Sequence, residues 1–141
     1  MADPTVAFDT EVDVVVLGTG GGGLTAALAA YDFGAQEVLI LEKSGMIGGT
    51  SAMSGGMLWI PVNDQQADHG VTDSFDDVVA YVDGLADDGH LDPEVFGAFL
   101  DEGPQMLRWF DEKTPVRLRL FPGFPDYQSW ATGAKEHGSR S

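Results

Sequence analysis

The sequence predicts an α/β fold that begins with a right-handed βαβ unit, and three observations support this. Residues 13–17, DVVVL, and 38–41, VLIL, are short, rich in β-branched residues and almost wholly apolar, as is typical of parallel strands buried on both faces. Between them, apolar residues recur at helical spacing from Leu24 to Tyr31, and Gly34 follows where a helix would end. Strand, helix and strand in this order and of these lengths form the unit.

The composition indicates one modest domain and excludes several classes of partner. The chain has 141 residues, of which 23 are acidic and 7 basic, so its net charge is −16. Because this charge repels polyanions and anionic lipid surfaces, we expect neither nucleic acid nor a membrane as a partner. No apolar run is long enough to span a bilayer, and the acidic N-terminus does not resemble a secretory signal. With no cysteine and three scattered histidines, we expect a cytoplasmic protein without a metal site.

The rest of the chain is predicted to be mostly helical. Residues 43–66 show no clean period and are predicted to form an ordered loop that includes a short helix. Ser74 and Asp92 are expected to begin two amphipathic helices as their N-caps. A Gly-Pro pair at 103–104 is expected to interrupt the second of these, with a further short helix after it. Apolar and basic residues alternate in 116–120, which predicts a half-buried strand.

A glycine-rich stretch joins the first predicted strand to the helix, with five glycines in the six positions from 18 to 23. Gly18, Gly20 and Gly23 match the G-x-G-x-x-G pattern of a Rossmann-like dinucleotide-binding unit. The first glycine permits a tight turn, the second lets the main chain approach a pyrophosphate, and the third lets the helix pack close to the strand. Glu42 ends the second strand, where a carboxylate can accept hydrogen bonds from a ribose. We therefore expect a dinucleotide cofactor.

The stretch after Glu42 favours FAD over NAD. In a nicotinamide-binding domain the second strand normally leads into another crossover helix. Here it leads into a loop with a second glycine pair at 48–49, then Thr50 and Ser51, then a Ser-Gly-Gly run at 54–56. Hydroxyls and backbone amides in such a loop can bind a pyrophosphate, a ribityl chain and the edge of a flavin ring.

Three motifs in order resemble a known family. They are VVVLGTGGGGLTAALAA at 14–30, LEKSGMIGGTSAMSGGMLW at 41–59 and FPGFPDY at 121–127. Together they resemble the FAD-dependent oxidoreductases of the fumarate reductase and succinate dehydrogenase flavoprotein superfamily. Within it, the sequence is most similar to the 3-ketosteroid Δ1-dehydrogenases.

The resemblance implies a role for each matching position around FAD. At the pyrophosphate, after the turn at Gly18, it implies Gly20, Gly21, Gly22 and Gly23. At the adenosine ribose it implies Glu42, and at the adenosine end of FAD it implies Lys43. For the pyrophosphate and ribityl region it implies Gly49, Thr50 and Ser51. Beside the flavin it implies Ser54, Gly55 and Gly56.

Two departures from the respiratory relatives bear on the branch. Many fumarate reductases and succinate dehydrogenases carry a histidine in this loop that bonds covalently to the flavin. The loop here has no histidine, so non-covalent FAD is expected. Those enzymes also bind a small dicarboxylate with arginines, whereas residues 57–61, MLWIP, suit an apolar wall beside a substrate. The alternative is that these five residues pack in the core.

Tyr127, in FPDY, is implied as a catalytic residue by the resemblance alone. In the 3-ketosteroid dehydrogenases this tyrosine lies in the active site and supports, by hydrogen bonding, a second tyrosine that removes a substrate proton. The implied substrate is a 3-ketosteroid or a similar apolar ketone, which loses two hydrogens from adjacent carbons. The proton goes to the second tyrosine and the hydride to flavin N5, and an external acceptor then takes the electrons.

Two other functions remain open. One is reduction of an activated double bond, as in fumarate reductase, which would need cationic groups that this segment does not show. The other is a non-catalytic FAD-binding module.

The resemblance also bears on domain organisation, because its members are several times longer than 141 residues. We predict an N-terminal tail at 1–11 and the N-terminal portion of an FAD-binding domain at 12–141. The remaining strands and a substrate domain would follow, and this portion alone would be inactive. The alternative is a subunit of a split enzyme whose C-terminal partner chain supplies the rest. Either way, apolar sheet surface should be left uncovered.

Overall fold

The computed structural model of the chain describes residues 8–85, 91–137 and 140–141. Residues 1–7 of the predicted tail at 1–11 lie outside the described residues. The chain divides into two compact units, Met1–Gly56 and Met57–Ser141. None of the described helices is both long enough and apolar enough to cross a bilayer.

The first unit contains the predicted βαβ arrangement. Strand β1 is Val14–Leu17, helix α1 is Gly21–Asp32 and strand β2 is Val38–Leu41, and a short 3-10 helix follows at Gly49–Met53. The two strands are parallel, and their register pairs Val14 with Val38 and Leu17 with Leu41. The predicted α/β fold class is confirmed.

Two local features determine where α1 ends and how the start of β2 is held. Gly34 follows the helix with φ of +108°, a left-handed conformation that glycine adopts without steric cost. The Asp13 carboxylate, just before β1, then accepts hydrogen bonds from the amides of Gln36 (2.7 Å) and Glu37 (3.1 Å). These bonds hold the entry of β2 beside the start of β1.

The predicted uncovered apolar surface is confirmed in the first unit. The described sheet has two strands, and Val15, Leu17 and Leu41 remain 52%, 79% and 49% exposed. On α1, Leu28 and Tyr31 are also exposed.

The second unit is helical. Its helices are α2 at Asp64–Asp68, α3 at Phe75–Asp83 and α4 at Pro93–Lys113. The predicted N-caps are confirmed, because the Ser74 hydroxyl accepts from the amide of Asp77 (3.2 Å) and the Asp92 carboxylate from that of Glu94 (2.9 Å). The short helix expected in 43–66 is the 3-10 helix at Gly49–Met53, whereas α2 begins in that range and extends beyond it. The N-cap of α2 is Asn63.

The predicted break at the Gly-Pro pair is wrong, because α4 continues through both residues. Proline removes one intrahelical hydrogen bond, but packing of the turn that precedes it holds the helix together. Leu100 is 3% exposed. Gly103 lies against Ile60, so closely that a Cβ at position 103 would be 3.1 Å from the Ile60 Cγ2 atom. The apolar stripe therefore belongs to one long helix.

The predicted strand at 116–120 is also wrong, because the described residues of this segment form no strand. A side chain takes the place of a neighbouring strand. The Gln65 amide donates to the carbonyl of Leu118 (3.0 Å) and its oxygen accepts from the amide of Leu120 (2.8 Å). The apolar residues of the alternating pattern are only partly buried, because Leu120 is buried whereas Val116 is exposed.

The core interpretation of residues 57–61 holds for part of the segment, and the substrate-wall interpretation stays a prediction. Trp59 stacks on Phe99 with ring centroids 6.2 Å apart. Ile60 and Pro61 are buried. These three residues pack in the core of the second unit, whereas Met57 and Leu58 are each 45% exposed.

Candidate functional site

A cleft of about 590 Å³ opens at the carboxyl ends of β1 and β2. This is the edge at which open parallel sheets bind ligands. Its walls include five of the predicted cofactor-binding residues and one residue that was not predicted. They are Gly18, Gly20, Glu42, Lys43 and Gly49, together with Thr19.

The first glycine turn has the geometry that its spacing predicts. Gly18 has φ of +93°, and its amide donates to the carbonyl of Leu41 (2.7 Å), which ties the turn to β2. A Cβ at Gly23 would overlap the carbonyl oxygen of Gly18, so α1 can lie this close to the turn only with glycine there. A Cβ at Gly20 would meet nothing within 4 Å, so the space beside this backbone is open.

The N-terminus of α1 differs from those of the other described α-helices. Its N-cap is Gly20, which has no side chain, and its first turn contains no acidic residue. Helices α2, α3 and α4 each have a side-chain cap and an acidic residue in the first turn. In a chain of net charge −16, this leaves the positive end of the α1 dipole suited to an anion.

Thr19 is a residue that the sequence analysis missed. It is 6% exposed. Its hydroxyl donates to the Glu42 carboxylate (2.6 Å) and accepts from the amide of Gly48 (2.9 Å). Its own amide also donates to the same carboxylate oxygen (3.0 Å). Thr19 thus joins the first glycine turn, the end of β2 and the second glycine loop. The signal was available, because a residue just after β1 must lie beside a residue just after β2 in a parallel pair.

The Glu42 carboxylate is held in one orientation by these bonds. One oxygen accepts both bonds from Thr19, and the other accepts from the amide of Ser44 (2.9 Å). The Thr19 hydroxyl, the Ser44 amide and the Thr19 amide together lower the pKa of Glu42 to about 2. Glu42 also lines the cleft, and a carboxylate accepts hydrogen bonds from ligand hydroxyls.

The second glycine loop lies against the first. Gly49 is close to Gly20, so that a Cβ at position 49 would be 3.3 Å from the Gly20 Cα atom. The Ser51 hydroxyl accepts from the amide of Gly21 at the start of α1 (3.0 Å). Lys43 is exposed on the cleft wall.

The other predicted residues of the second glycine loop are not among the cleft walls. They are Thr50, Ser51, Ser54, Gly55 and Gly56. The Ser54 hydroxyl donates to the carbonyl of Ser51 (2.9 Å) and accepts from the amide of Gly56 (3.1 Å). These bonds shape the end of the loop.

Tyr127 belongs to the second unit and is 84% exposed. Its ring meets that of Phe124 edge-on, with centroids 6.2 Å apart. The preceding residue of the FPDY motif, Asp126, is by contrast buried.

A buried ion cluster around Arg140 was also missed. The Arg140 side chain is fully buried and donates to the carboxylates of Asp73 (2.7 and 2.8 Å) and Asp126 (2.8 Å). Burial alone would raise the pKa of Asp73, but hydrogen bonds from Arg140 and Gln66 outweigh it and lower that pKa. An isolated arginine and two separate aspartates carry no sequence signal for such a cluster.

Comparisons with known proteins add a family and several relatives. A family model described as the FAD binding domain matches residues 13–139. The chain is 40% identical over 126 residues to 4-oxocyclohexanecarboxylate 2-dehydrogenase from Sinomonas cyclohexanicum, a match that covers 89% of this chain and 22% of that protein. It is 38% identical over 128 residues to 3-oxosteroid 1-dehydrogenase from Mycobacterium tuberculosis, covering 91% and 22% respectively.

A solved structure agrees with these matches. The crystal structure of 3-ketosteroid delta1-dehydrogenase from Sterolibacterium denitrificans, in complex with 1,4-androstadiene-3,17-dione, matches with a TM-score of 0.75 and 39% identity. The match covers 91% of this chain and 22% of that one. The chain thus spans 22% of the length of each of these three relatives.

Proposed function

Because the chain belongs to the FAD binding domain family, we propose that it holds the nucleotide of an FAD-dependent dehydrogenase that acts on ring ketones. This membership confirms FAD, the cofactor expected from the sequence. The observation that carries the proposal is the convergence of both glycine loops and Glu42 on one cleft.

The residues of the cleft fit the nucleotide part of FAD. The open backbone at Gly20 and the start of α1, whose N-cap has no side chain, suit a pyrophosphate, because amide groups and the helix dipole favour an anion there. The Glu42 carboxylate on the cleft wall suits a ribose hydroxyl, and the exposed Lys43 suits the adenosine end. Gly21, Gly22 and Gly23 complete the first loop, while Gly49, Thr50 and Ser51 extend the site towards the ribityl chain.

We assign Ser54, Gly55 and Gly56 to the flavin side of the second loop. The loop contains no histidine, so the proposed FAD is held without a covalent bond. Non-covalent retention then depends on the contacts around the nucleotide, which makes Thr19 and Glu42 important for affinity.

The relatives suggest the substrate class. By their names, two act on a cyclohexane ring ketone and on a 3-oxosteroid, and each is a dehydrogenase. The shared chemistry is loss of two hydrogens from adjacent ring carbons, one of them next to the ketone. When bound, FAD supplies the hydride acceptor, and an external acceptor would then take the electrons. A 3-ketosteroid or a smaller apolar ring ketone is therefore the proposed substrate.

Tyr127 is the proposed catalytic residue of this chain. Its phenol would donate a hydrogen bond to a tyrosine base that removes the proton next to the ketone. Since a phenol is a weak base at neutral pH, a donor that stabilises the phenolate raises its effectiveness. The exposed ring of Tyr127 leaves its hydroxyl accessible for this bond.

Cofactor release tests the FAD part of the proposal. The complete protein is purified, denatured and centrifuged, and the absorbance of the supernatant is recorded. A flavin spectrum in the supernatant supports non-covalent FAD. A flavin that stays with the precipitated protein would contradict the non-covalent assignment, and the absence of flavin from both fractions would contradict the FAD assignment.

Turnover tests the reaction. The complete protein is incubated with 4-androstene-3,17-dione or 4-oxocyclohexanecarboxylate and an artificial electron acceptor, and products are identified by mass spectrometry. Loss of two hydrogens from either ketone supports the proposal and distinguishes the two substrate types. Tyr127→Phe should slow turnover by about 10² while flavin content stays unchanged, as expected when one participant in proton transfer is lost.

Other outcomes would favour the alternatives. Silence towards both ketones, with fumarate-dependent oxidation of a reduced dye, would favour reduction of a double bond. FAD binding without either activity would favour a non-catalytic module. Activity that appears only when a second polypeptide is added would favour a split enzyme.

A further inference from the structure

The backbone around Tyr127 is tied to the buried core, although the Tyr127 ring is exposed. Both neighbours of Tyr127 form hydrogen bonds to buried or partly buried groups. An exposed loop residue usually has a mobile backbone. The anchored backbone of an exposed tyrosine therefore requires an explanation.

Asp126 provides the first tie. One carboxylate oxygen accepts from the indole N–H of Trp59 (2.8 Å), and the other accepts from Arg140 (2.8 Å) and from the amide of Lys135 (2.9 Å). The Asp126 amide donates to the carbonyl of Lys135 (3.0 Å). Since Asp126 is only 4% exposed, these bonds hold it in a low-dielectric environment where each is strong.

Tyr81 provides the second tie. Its phenol oxygen accepts a hydrogen bond from the amide of Gln128 (3.2 Å), on the other side of Tyr127. Tyr81 is 5% exposed. The Arg140 guanidinium lies 5.5 Å from the centroid of the Tyr81 ring and 5.8 Å from that of Trp59. Arg140 thus contacts both Asp126 and Tyr81, which hold the backbone on either side of Tyr127.

Burying the ion cluster around Arg140 costs free energy, and its directional geometry is what apolar side chains could not supply. Arg140 and Lys135 are matched against the carboxylates of Asp73, Asp77 and Asp126. Removing ions from water costs free energy that their attraction only partly returns, so apolar residues of similar volume often stabilise a core as well. Ionic and hydrogen-bonded groups differ from apolar ones in being directional, which is the property needed to orient a loop.

We infer that Tyr81, Asp126 and Arg140 are positioning residues that hold Tyr127 in a fixed orientation. They act through the backbone on either side of it. This inference rests on the proposed function, in which the Tyr127 phenol must meet a reacting group. The hold on the backbone can nevertheless be measured separately from turnover.

Tyr81→Phe is the sharpest test, because it removes only the oxygen that accepts from Gln128 and keeps the ring contacts. Variants of Asp126 or Arg140 would leave buried charges unpaired and could prevent folding. Hydrogen exchange of the peptide that contains residues 126–128 is measured by mass spectrometry in the complete protein. We expect exchange at this segment to become about tenfold faster in Tyr81→Phe.

Turnover is measured in the same variants as a double-mutant cycle with Tyr127→Phe. If Tyr81 acts through Tyr127, Tyr81→Phe should lower kcat by about three- to tenfold in the wild-type background and have no further effect in the Tyr127→Phe background. Flavin content should not change. The control is Asp92→Ala, which removes the N-cap of α4 and lowers stability without touching this segment, so its kcat should remain that of the wild type.

The outcomes separate the positioning inference from the proposed catalytic role of Tyr127. Unchanged exchange at 126–128 in Tyr81→Phe overturns the positioning inference, whatever the turnover. Equal loss of kcat in both backgrounds also overturns it, since Tyr81 would then act elsewhere. If Tyr127→Phe alone leaves kcat unchanged, the proposed catalytic role of Tyr127 fails, while the exchange result still decides whether its backbone is held.

Discussion

At the scale of single residues, one hydroxyl organises the nucleotide end of the cleft. Thr19 donates to Glu42 and accepts from the amide of Gly48, so it satisfies a carboxylate and a loop amide at once. Its position between two glycines predicted no role for it. Its position next to Glu42 instead makes it the link between the two glycine loops.

Thr19→Val should weaken FAD binding by about tenfold or more, because it keeps the volume but removes the hydroxyl that orients Glu42 and bonds Gly48. Affinity is measured by titrating the flavin-free complete protein with FAD and following flavin fluorescence. Thr19→Ser is the matched control, since it keeps the hydroxyl, and its affinity should stay within about threefold of the wild type. Equal affinities for Thr19→Val and wild type would contradict the linking role.

At the scale of elements, α1 lies against the β1 turn as closely as a backbone allows. Gly23 faces the carbonyl of Gly18 with no room for a Cβ. At Gly22, its neighbour in the same turn of helix, a Cβ would meet nothing within 4 Å. The two positions have the same residue type, but only one is constrained by packing.

Gly23→Ala should destabilise the protein by about 1–3 kcal/mol, because the helix must move away from the turn to admit a methyl group. Gly22→Ala should not lower stability, since alanine favours a helix over glycine by up to about 1 kcal/mol and meets no obstacle. Thermal unfolding of both variants, each without added FAD, compares them directly. A Gly23→Ala midpoint at or above that of Gly22→Ala would refute the close-packing interpretation.

At the scale of the whole molecule, the acidic composition has two opposing effects on stability. The net charge of −16 produces repulsion that protonation relieves. Certain carboxylates, however, accept hydrogen bonds that protonation removes, and these include Glu42 in the first unit and Asp73 in the second. Salt at physiological ionic strength largely screens the repulsion between exposed charges that are more than about 8 Å apart. We therefore expect the loss of specific hydrogen bonds to outweigh the relief of repulsion.

Stability should therefore decrease as the pH falls below about 4.5. The pKa of Glu42 is lowered from 4.5 to about 2 in the folded chain, so its contribution is complete above pH 4.5 and is lost as the pH approaches 2. Urea unfolding at pH 6 and pH 3, in 0.15 M salt, measures the change.

Glu42→Gln supplies the comparison, because it cannot titrate. It should be less stable than the wild type at pH 6 and should lose less stability between pH 6 and pH 3. The same loss in both proteins would show that the Glu42 bonds do not contribute.

The sequence by itself determined the βαβ unit, the glycine turn and the N-caps at Ser74 and Asp92. Each depends on local chemistry: apolar periodicity, the conformational freedom of glycine, and a side-chain oxygen one turn from an unpaired amide. FAD was also predictable, because a second glycine loop follows β2 where a crossover helix would otherwise begin. Local signals of this kind act over a few residues and can be read without knowing what packs where.

Only the tertiary structure decided the features that join residues distant in the chain. Pro104 lies inside a continuous helix because Gly103 packs on Ile60. The segment 116–120 is not a strand, because Gln65 provides its hydrogen bonds. Arg140 pairs with Asp73 across 67 positions of sequence. Such contacts stabilise the chain only when folding brings both partners together in a buried place. No local sequence pattern shows which residues will become partners.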